Sequence, residues 1–168
     1  MLYRSPAAIV THFLTEVDLF QGLSIRHIER IAALCDDFEF EEGDYLGYQD
    51  EPGDRLFVVR SGEVTATTGA REKSLVVRTV RAHEAFPVAI FFNPPILVTT
   101  SRAATDGSAF VIPRVRLMEL CQLEPRIGLH IFSSACGILA SRYRYTLDRL
   151  AEVVTGIDIS PAGDGGEV

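Results

Sequence analysis

The chain has 168 residues, 47% of them hydrophobic and 23% charged, with a formal charge of −7. That length builds about one domain with a core of its own, and no apolar run approaches the ~20 residues of a membrane span. The first apolar run, Ala7-Ala8-Ile9-Val10, is too short for a signal-peptide core, so a cytoplasmic chain without membrane contact is expected. The acidic balance argues against a broad nucleic-acid footprint, which needs a concentrated basic face. Cys35, Cys121 and Cys136 are odd in number, far apart and without a Cys-x-x-Cys pair, so they read as reduced, buried thiols. His12, His27, His83 and His130 are equally scattered, and no metal site is expected from them.

In chain order, Ile9, Val10, Phe13 and Leu14 have helical spacing from Ala7 to Leu14. Ser24 suits an N-cap for a second helix with an apolar stripe of Ile25, Ile28, Ile31, Ala32 and Cys35. After Asp37 the period changes to two. Phe38 and Phe40 alternate with acids, Glu42-Gly43-Asp44 turns, and Tyr45 to Tyr48 resumes the strand. Glu51-Pro52-Gly53-Asp54 is a second turn, because Pro presets φ and Gly supplies the φ > 0 position. Strands are expected at Leu56 to Val59, Glu63 to Thr68, Ser74 to Val80 and Ala109 to Ile112, with a hairpin tip at 69–72. Short strands between turns, with helices only at the ends, indicate a mainly β jelly-roll barrel.

After Pro113 the pattern turns helical, breaks at Glu124-Pro125, and continues in a long helix to about Val154. Phe132, Cys136, Leu139, Tyr143, Leu147, Leu150 and Val154 fall at spacings of three and four. The part near Phe132 to Leu139 is expected to pack on the barrel, and the remainder to form a helix–helix seam. Residues 1–154 are therefore read as one domain and 155–168, with Ser160 to Gly166 rich in Gly, as a flexible tail.

Leu19-Phe20-Gln21-Gly22-Leu23, Glu42-Gly43-Asp44 and the run from Gly53 to Val64 together resemble the cyclic-nucleotide-binding domain family, the sensor half of catabolite-activator-type regulators. The resemblance covers about residues 12–154 and implies a cyclic-nucleotide-binding-type β-roll with flanking helices that dimerises through its last helix. It also implies a phosphate cassette of the form Phe-Gly-Glu followed by Pro-Arg-x-Ala-Thr. Here Phe86 and Thr100 match, while the Gly, Glu, Pro and Arg positions fall on Pro87, Val88, Ile96 and Leu97, with Val98 and Thr99 between Leu97 and Thr100. Leu97 cannot pair with a phosphate, Val88 cannot accept a hydrogen bond, and Pro87 has no N–H. Losing one charge-assisted partner costs about 1.5–3 kcal/mol, so losing two removes about 10²–10⁴ in affinity.

The segment from Ala89 to Val98 is instead apolar, and its side chains either fill the old pocket or form a docking patch around Phe91 and Phe92. Arg78, Arg81 and Arg102 bracket the cassette, with Arg114 and Arg116 after the last strand, and could hold another nucleotide such as a phosphorylated nicotinamide dinucleotide. No Gly-x-Ser-x-Gly elbow, Walker loop or Gly-x-Gly-x-x-Gly is present, so no catalysis and no bound cofactor are expected. With no recognition helix and an end about fifteen residues after the last helix, DNA binding is not expected either.

The reading is a non-catalytic regulatory or accessory subunit of a larger cytoplasmic complex. It docks through Tyr143, Leu147, Leu150 and Val154, to a partner or to a second copy, and through Phe91 and Phe92. In length and architecture the chain is similar to the small accessory subunit found with some bacterial NAD-reducing nickel–iron hydrogenases, which implies a redox enzyme as partner.

Overall fold

In the computed structural model, residues 5–69 and 74–156 are described; most of the expected hairpin tip and the tail from Ser160 to Gly166 lie outside them. The chain opens with helices α1 (Ala7–Leu14) and α2 (Ile25–Ala32). Eight strands follow among the described residues: β1 (Asp36–Phe40), β2 (Tyr45–Gly47), β3 (Arg55–Ser61), β4 (Val64–Thr68), β5 (Leu75–Val80), β6 (Ala85–Phe86), β7 (Thr100–Ala103) and β8 (Gly107–Pro113). One 3-10 turn, Val88–Phe91, lies between β6 and β7, and α3 (Arg114–Leu123) and α4 (Pro125–Gly156) close the order. The expected helices and the turn at Glu42-Gly43 are present, but the second turn falls at Gln49-Asp50, where Asp50 and not Gly53 carries a positive φ of 68° and Pro52 bridges Ile96; β6 and β7 flank the apolar segment, and the 3-10 turn lies at its start.

The strands form two four-stranded antiparallel sheets, β1-β8-β3-β6 and β2-β7-β4-β5, giving the expected jelly roll. Between them lies a core of Phe40, Phe57, Val59, Val64, Val80, Phe86, Ala103, Ala109 and Val111. Phe57 stacks on Phe86 at 5.2 Å and receives Phe38 edge-on at 5.5 Å. β3 is buried from Leu56 to Val59, and β8 from Ala109 to Ile112. Alternate side chains point to opposite faces, so both faces of these strands are covered. On the face away from the second sheet, Phe110 meets Phe13 of α1 at 5.6 Å and lies under the Arg60 guanidinium at 4.6 Å. Arg60 in turn reaches Asp37 at 2.7 Å, and the Asp37 carboxylate accepts from the Ser5 N–H at 2.6 Å and hydroxyl at 2.7 Å.

Local chemistry sets the element ends. The Ser24 hydroxyl accepts from the His27 N–H and caps α2. At the start of β8 a Cβ on Gly107 would lie 2.2 Å from the Ser61 carbonyl and 2.6 Å from the Phe40 ring, so only glycine admits this approach of backbone to backbone.

Residues 1–135 form one compact unit and 136–168 a second. After Ala135 no described residue is buried, and the helix runs to Gly156. The face of α4 that packs is Ile127, Gly128, Ile131 and Ala135, one residue away from the expected Phe132, Cys136 and Leu139, and Phe132 remains 39% exposed. Both stripes have helical spacing and differ by about 100° of rotation, so periodicity alone does not choose between them. Gly128 decides the matter sterically, since a Cβ there would sit 3.0 Å from the Cys121 carbonyl of α3.

Cys35 and Cys121 are buried as expected, but Cys136 is exposed on α4. Burial also pushes the Cys121 thiol upward in pKa. A chromogenic disulfide reagent at mildly alkaline pH should therefore titrate one thiol rapidly in the folded protein and three after denaturation. Cys136→Ser should remove the rapid phase; a rapid phase that survives would contradict this packing.

Candidate functional site

The cassette segment hangs between β6 and β7, and its two halves are held differently. Phe86 is part of the inter-sheet core. From Pro87 the chain enters the 3-10 turn, where Val88, Ala89 and Ile90 are buried. The Arg114 guanidinium at the start of α3 donates from Nε to the Ile90 carbonyl at 2.7 Å, while the Arg114 backbone N–H donates to the Asp54 carbonyl at 2.7 Å. Phe91 then meets Phe132 of α4 edge-on at 5.4 Å. A side chain and a ring thus tether the turn to the C-terminal helices.

Backbone pairing fixes the second half. The Leu97 N–H donates to the Glu51 carbonyl at 2.9 Å, and its own carbonyl accepts from the Asp50 N–H at 2.8 Å. Gly53 donates to the Pro95 carbonyl at 2.7 Å, Pro52 bridges Ile96, and the Thr100 hydroxyl accepts from the Gln49 N–H at 3.0 Å. Thr99 is half-buried.

This ladder aims the Leu97 side chain, 6% exposed, between two glycines. A Cβ on Gly47 would come within 2.7 Å of one Leu97 methyl, and a Cβ on Gly53 within 2.8 Å of the other. The aliphatic Leu97 side chain is thus packed on bare backbone.

Filling and docking divide along the segment. Val88, Ala89, Ile90 and Leu97 fill; Phe91 and Phe92 are half-buried; Pro94 and Val98 face solvent. Beside Leu97 lies a depression of about 270 Å³, bordered by Tyr45, Tyr48, Glu51, Asp54 and Pro87.

The candidate nucleotide-binding arginines are dispersed. Arg102 of β7 lies opposite Thr65, whose other neighbour is Thr79, whereas Arg78 of β5 lies opposite Ala66. Thr65 and Ala66 are consecutive, so Arg102 and Arg78 leave opposite faces of the sheet. Arg78 pairs with Glu84 at 2.6 Å, Arg81 with Glu63 at 2.9 Å, and Arg102 Nε donates to the Gly43 carbonyl at 3.0 Å.

No group of three potential metal ligands is assembled among the described residues. His83 stacks on Phe13 at 4.2 Å with Nδ1 3.3 Å from Glu16, and His130 lies against Gly22. Sequence reasoning passed over the tether made by Arg114 and the pairing of Tyr45 with Tyr48. The second had a signal, two tyrosines three residues apart on the strand that precedes a turn.

Truncating Leu97 removes a buried group whose seat is backbone and cannot collapse, so Leu97→Ala should cost about 2–5 kcal/mol. Val98→Ala, at a residue 60% exposed, should stay within about 0.5 kcal/mol. Urea midpoints of the two variants check the contrast, and equal midpoints would contradict it.

Comparison with known proteins agrees with this geometry. The family model described as the cyclic nucleotide-binding domain matches residues 37–124. A cGMP-dependent protein kinase of Caenorhabditis elegans is 41% identical over 56 residues, which is 33% of this chain and 7% of the kinase. The chain thus spans under a tenth of the length of the curated relatives it matches.

Among solved structures, a cyclic nucleotide-binding domain from Methylobacillus flagellatus superposes with a TM-score of 0.73 at 17% identity, covering 87% of this chain and 83% of that one. The catabolite activator protein of Thermus thermophilus gives 0.69 at 18%, covering 82% and 63%. The sensor domain of the transcriptional regulator DNR from Pseudomonas aeruginosa gives 0.67 at 20%, covering 84% and 93%. The structural likenesses share the fold, and the family match spans more than half of the 168 residues; the chain belongs to the cyclic nucleotide-binding domain family.

Proposed function

We propose that this chain is a non-catalytic regulatory or accessory subunit that has given up cyclic-nucleotide recognition and works by docking within a larger complex. The observation that carries the reading is the buried Leu97 side chain, seated between Gly47 and Gly53 where a phosphate-pairing arginine would stand. Val88, buried at the glutamate position, and Pro87, without an N–H, support it. Calorimetric titration with cyclic AMP and cyclic GMP should give no heat of binding at physiological concentrations; a micromolar constant for either would refute the loss of recognition.

The docking part of the proposal rests on α4 beyond Ala135. Tyr143, Leu147, Leu150 and Val154 are all exposed and succeed one another at four, three and four residues, the spacing of a coiled-coil seam. An acidic, charged face is the usual outer surface of a helix, and an exposed apolar stripe marks an interface. Cys136 continues the same spacing through Ala140 and is exposed. If the seam joins two copies in parallel, oxidation should cross-link Cys136 to Cys136 of the second copy. Leu147→Glu with Leu150→Glu should leave the fold intact, because neither side chain is buried, yet disperse the oligomer or complex in sedimentation. Unfolding of the double variant would count against the seam.

For the partner, length and architecture support an accessory subunit of the kind found with bacterial NAD-reducing nickel–iron hydrogenases, and affinity isolation of the native protein should bring such an enzyme with it. The competing sensor reading needs Arg78, Arg81 and Arg102 to leave their present partners. A melting temperature raised by a phosphorylated nicotinamide dinucleotide, and no longer raised in Arg102→Ala, would favour that reading instead.

A further inference from the structure

We infer that the corner between β2 and β3 is a docking point for an arginine side chain presented by the partner, an inference that rests on the docking reading above and names the chemistry of its contact. Tyr45 and Tyr48 stack at 4.9 Å with 20° between their planes, and 52% and 47% of their surfaces stay exposed. Tyrosine contributes much of the energy where proteins meet, since it offers a large rigid face at little entropic cost. An uncovered stacked pair is therefore surface that a partner gains by covering.

The surface already accepts a guanidinium. The Arg102 Cζ lies 5.5 Å from the centre of the Tyr45 ring, and its Nε is held by the Gly43 carbonyl at 3.0 Å. That is a cation–π contact made within the chain. Next to the pair, the depression of about 270 Å³ is lined by Glu51, Asp54, Arg55, Phe57 and Leu97, and the Arg55 guanidinium lies 5.7 Å from the Phe57 ring centre, a second such contact made within the chain. Asp54 is paired with Arg55 at 3.1 Å, whereas the Glu51 carboxylate has no hydrogen-bond or ion-pair partner among the described residues.

An aromatic wall, an apolar floor and a free carboxylate at the rim suit a planar, weakly hydrated cation on an aliphatic stem. Arginine meets these terms better than lysine, whose ammonium is compact and strongly hydrated. A depression of about 270 Å³ has room for one long side chain. The formal charge of −7 adds long-range attraction for a basic segment.

The corner is also set before any partner arrives. Glu51 N–H donates to the Tyr48 carbonyl at 3.2 Å, and Asp50 and Gly53 are tied to Leu97 and Pro95. Little ordering cost remains for binding.

The test is a nuclear magnetic resonance titration of the full isotopically labelled chain with N-acetyl-arginine methylamide and, separately, with the uncharged citrulline counterpart. The arginine probe should produce saturable shifts at the amides of Tyr48, Glu51 and Gly53, with the citrulline probe about threefold to fivefold weaker or silent, the factor a cation–π contact at an exposed site commands. Glu51→Gln and Tyr48→Ala should each weaken the arginine probe by a similar factor, and Tyr48→Phe should not. The assignment is overturned if the corner stays silent to tens of millimolar arginine probe, if the two probes are indistinguishable, or if Glu51→Gln and Tyr48→Ala change nothing. Concentration-dependent self-association lost in Tyr48→Ala would place a second copy there and overturn the assignment to a separate partner. Because the probe is a small molecule on the isolated chain, this result is independent of the α4 seam and of the cyclic-nucleotide titration, so each reading fails by its own experiment.

Discussion

The antiparallel pairing of β3 with β8 is the constraint from which the rest follows. Leu56 to Val59 and Ala109 to Ile112 leave no face open, so this pair must lie in the middle, with the second sheet on one side and helices on the other. Fully burying a side chain of this size contributes about 1.5–3 kcal/mol, and the two strands contribute it along most of their length. β1 and β6 extend the sheet from its two central members, α3 begins at the residue that follows β8, and α1 reaches in with Phe13. A polar residue at Val58 or Phe110 would unseat strand, helix and sheet together.

That arrangement separates stability from ligand chemistry. Phe86, Val64 and Val80 are core and hold the roll together, while the residues at 87, 88 and 97 lie on a segment slung between β6 and β7. Val88 and Leu97 on that segment are buried apolar side chains, so no charge is desolvated at either position. The segment between β6 and β7 is built into the fold: Arg114 tethers its turn, Leu97 wedges between Gly47 and Gly53, and loop 50–53 pairs with its backbone. The Tyr45–Tyr48 pair beside it stays about half exposed.

The first part of α4 pays for its order by burying Ile127, Ile131 and Ala135, whereas beyond Ala135 the helix buries nothing within its own unit. Isolated helices are marginal in water without packing, and the apolar positions left uncovered, Tyr143, Leu147, Leu150 and Val154, have the spacing a second helix requires.

Much of this was legible from local pattern. The change from helical period to alternation after Asp37 marked the start of the strands, Ser24 marked a helix start, and Pro125 marked another, because capping, φ restriction and side-chain periodicity act over a few residues. The apolar character of Pro87, Val88 and Leu97 was equally visible, since the absence of a charge or an N–H is a property of the residue itself. Which of two adjacent apolar stripes on α4 packs, whether Leu97 fills or docks, and whether Arg78 and Arg102 share a face were decided only by the tertiary structure. Those outcomes depend on strand register, on the approach of Cys121 to Gly128, and on the space above Gly47 and Gly53. They are distances between residues far apart in sequence, and no local pattern encodes them.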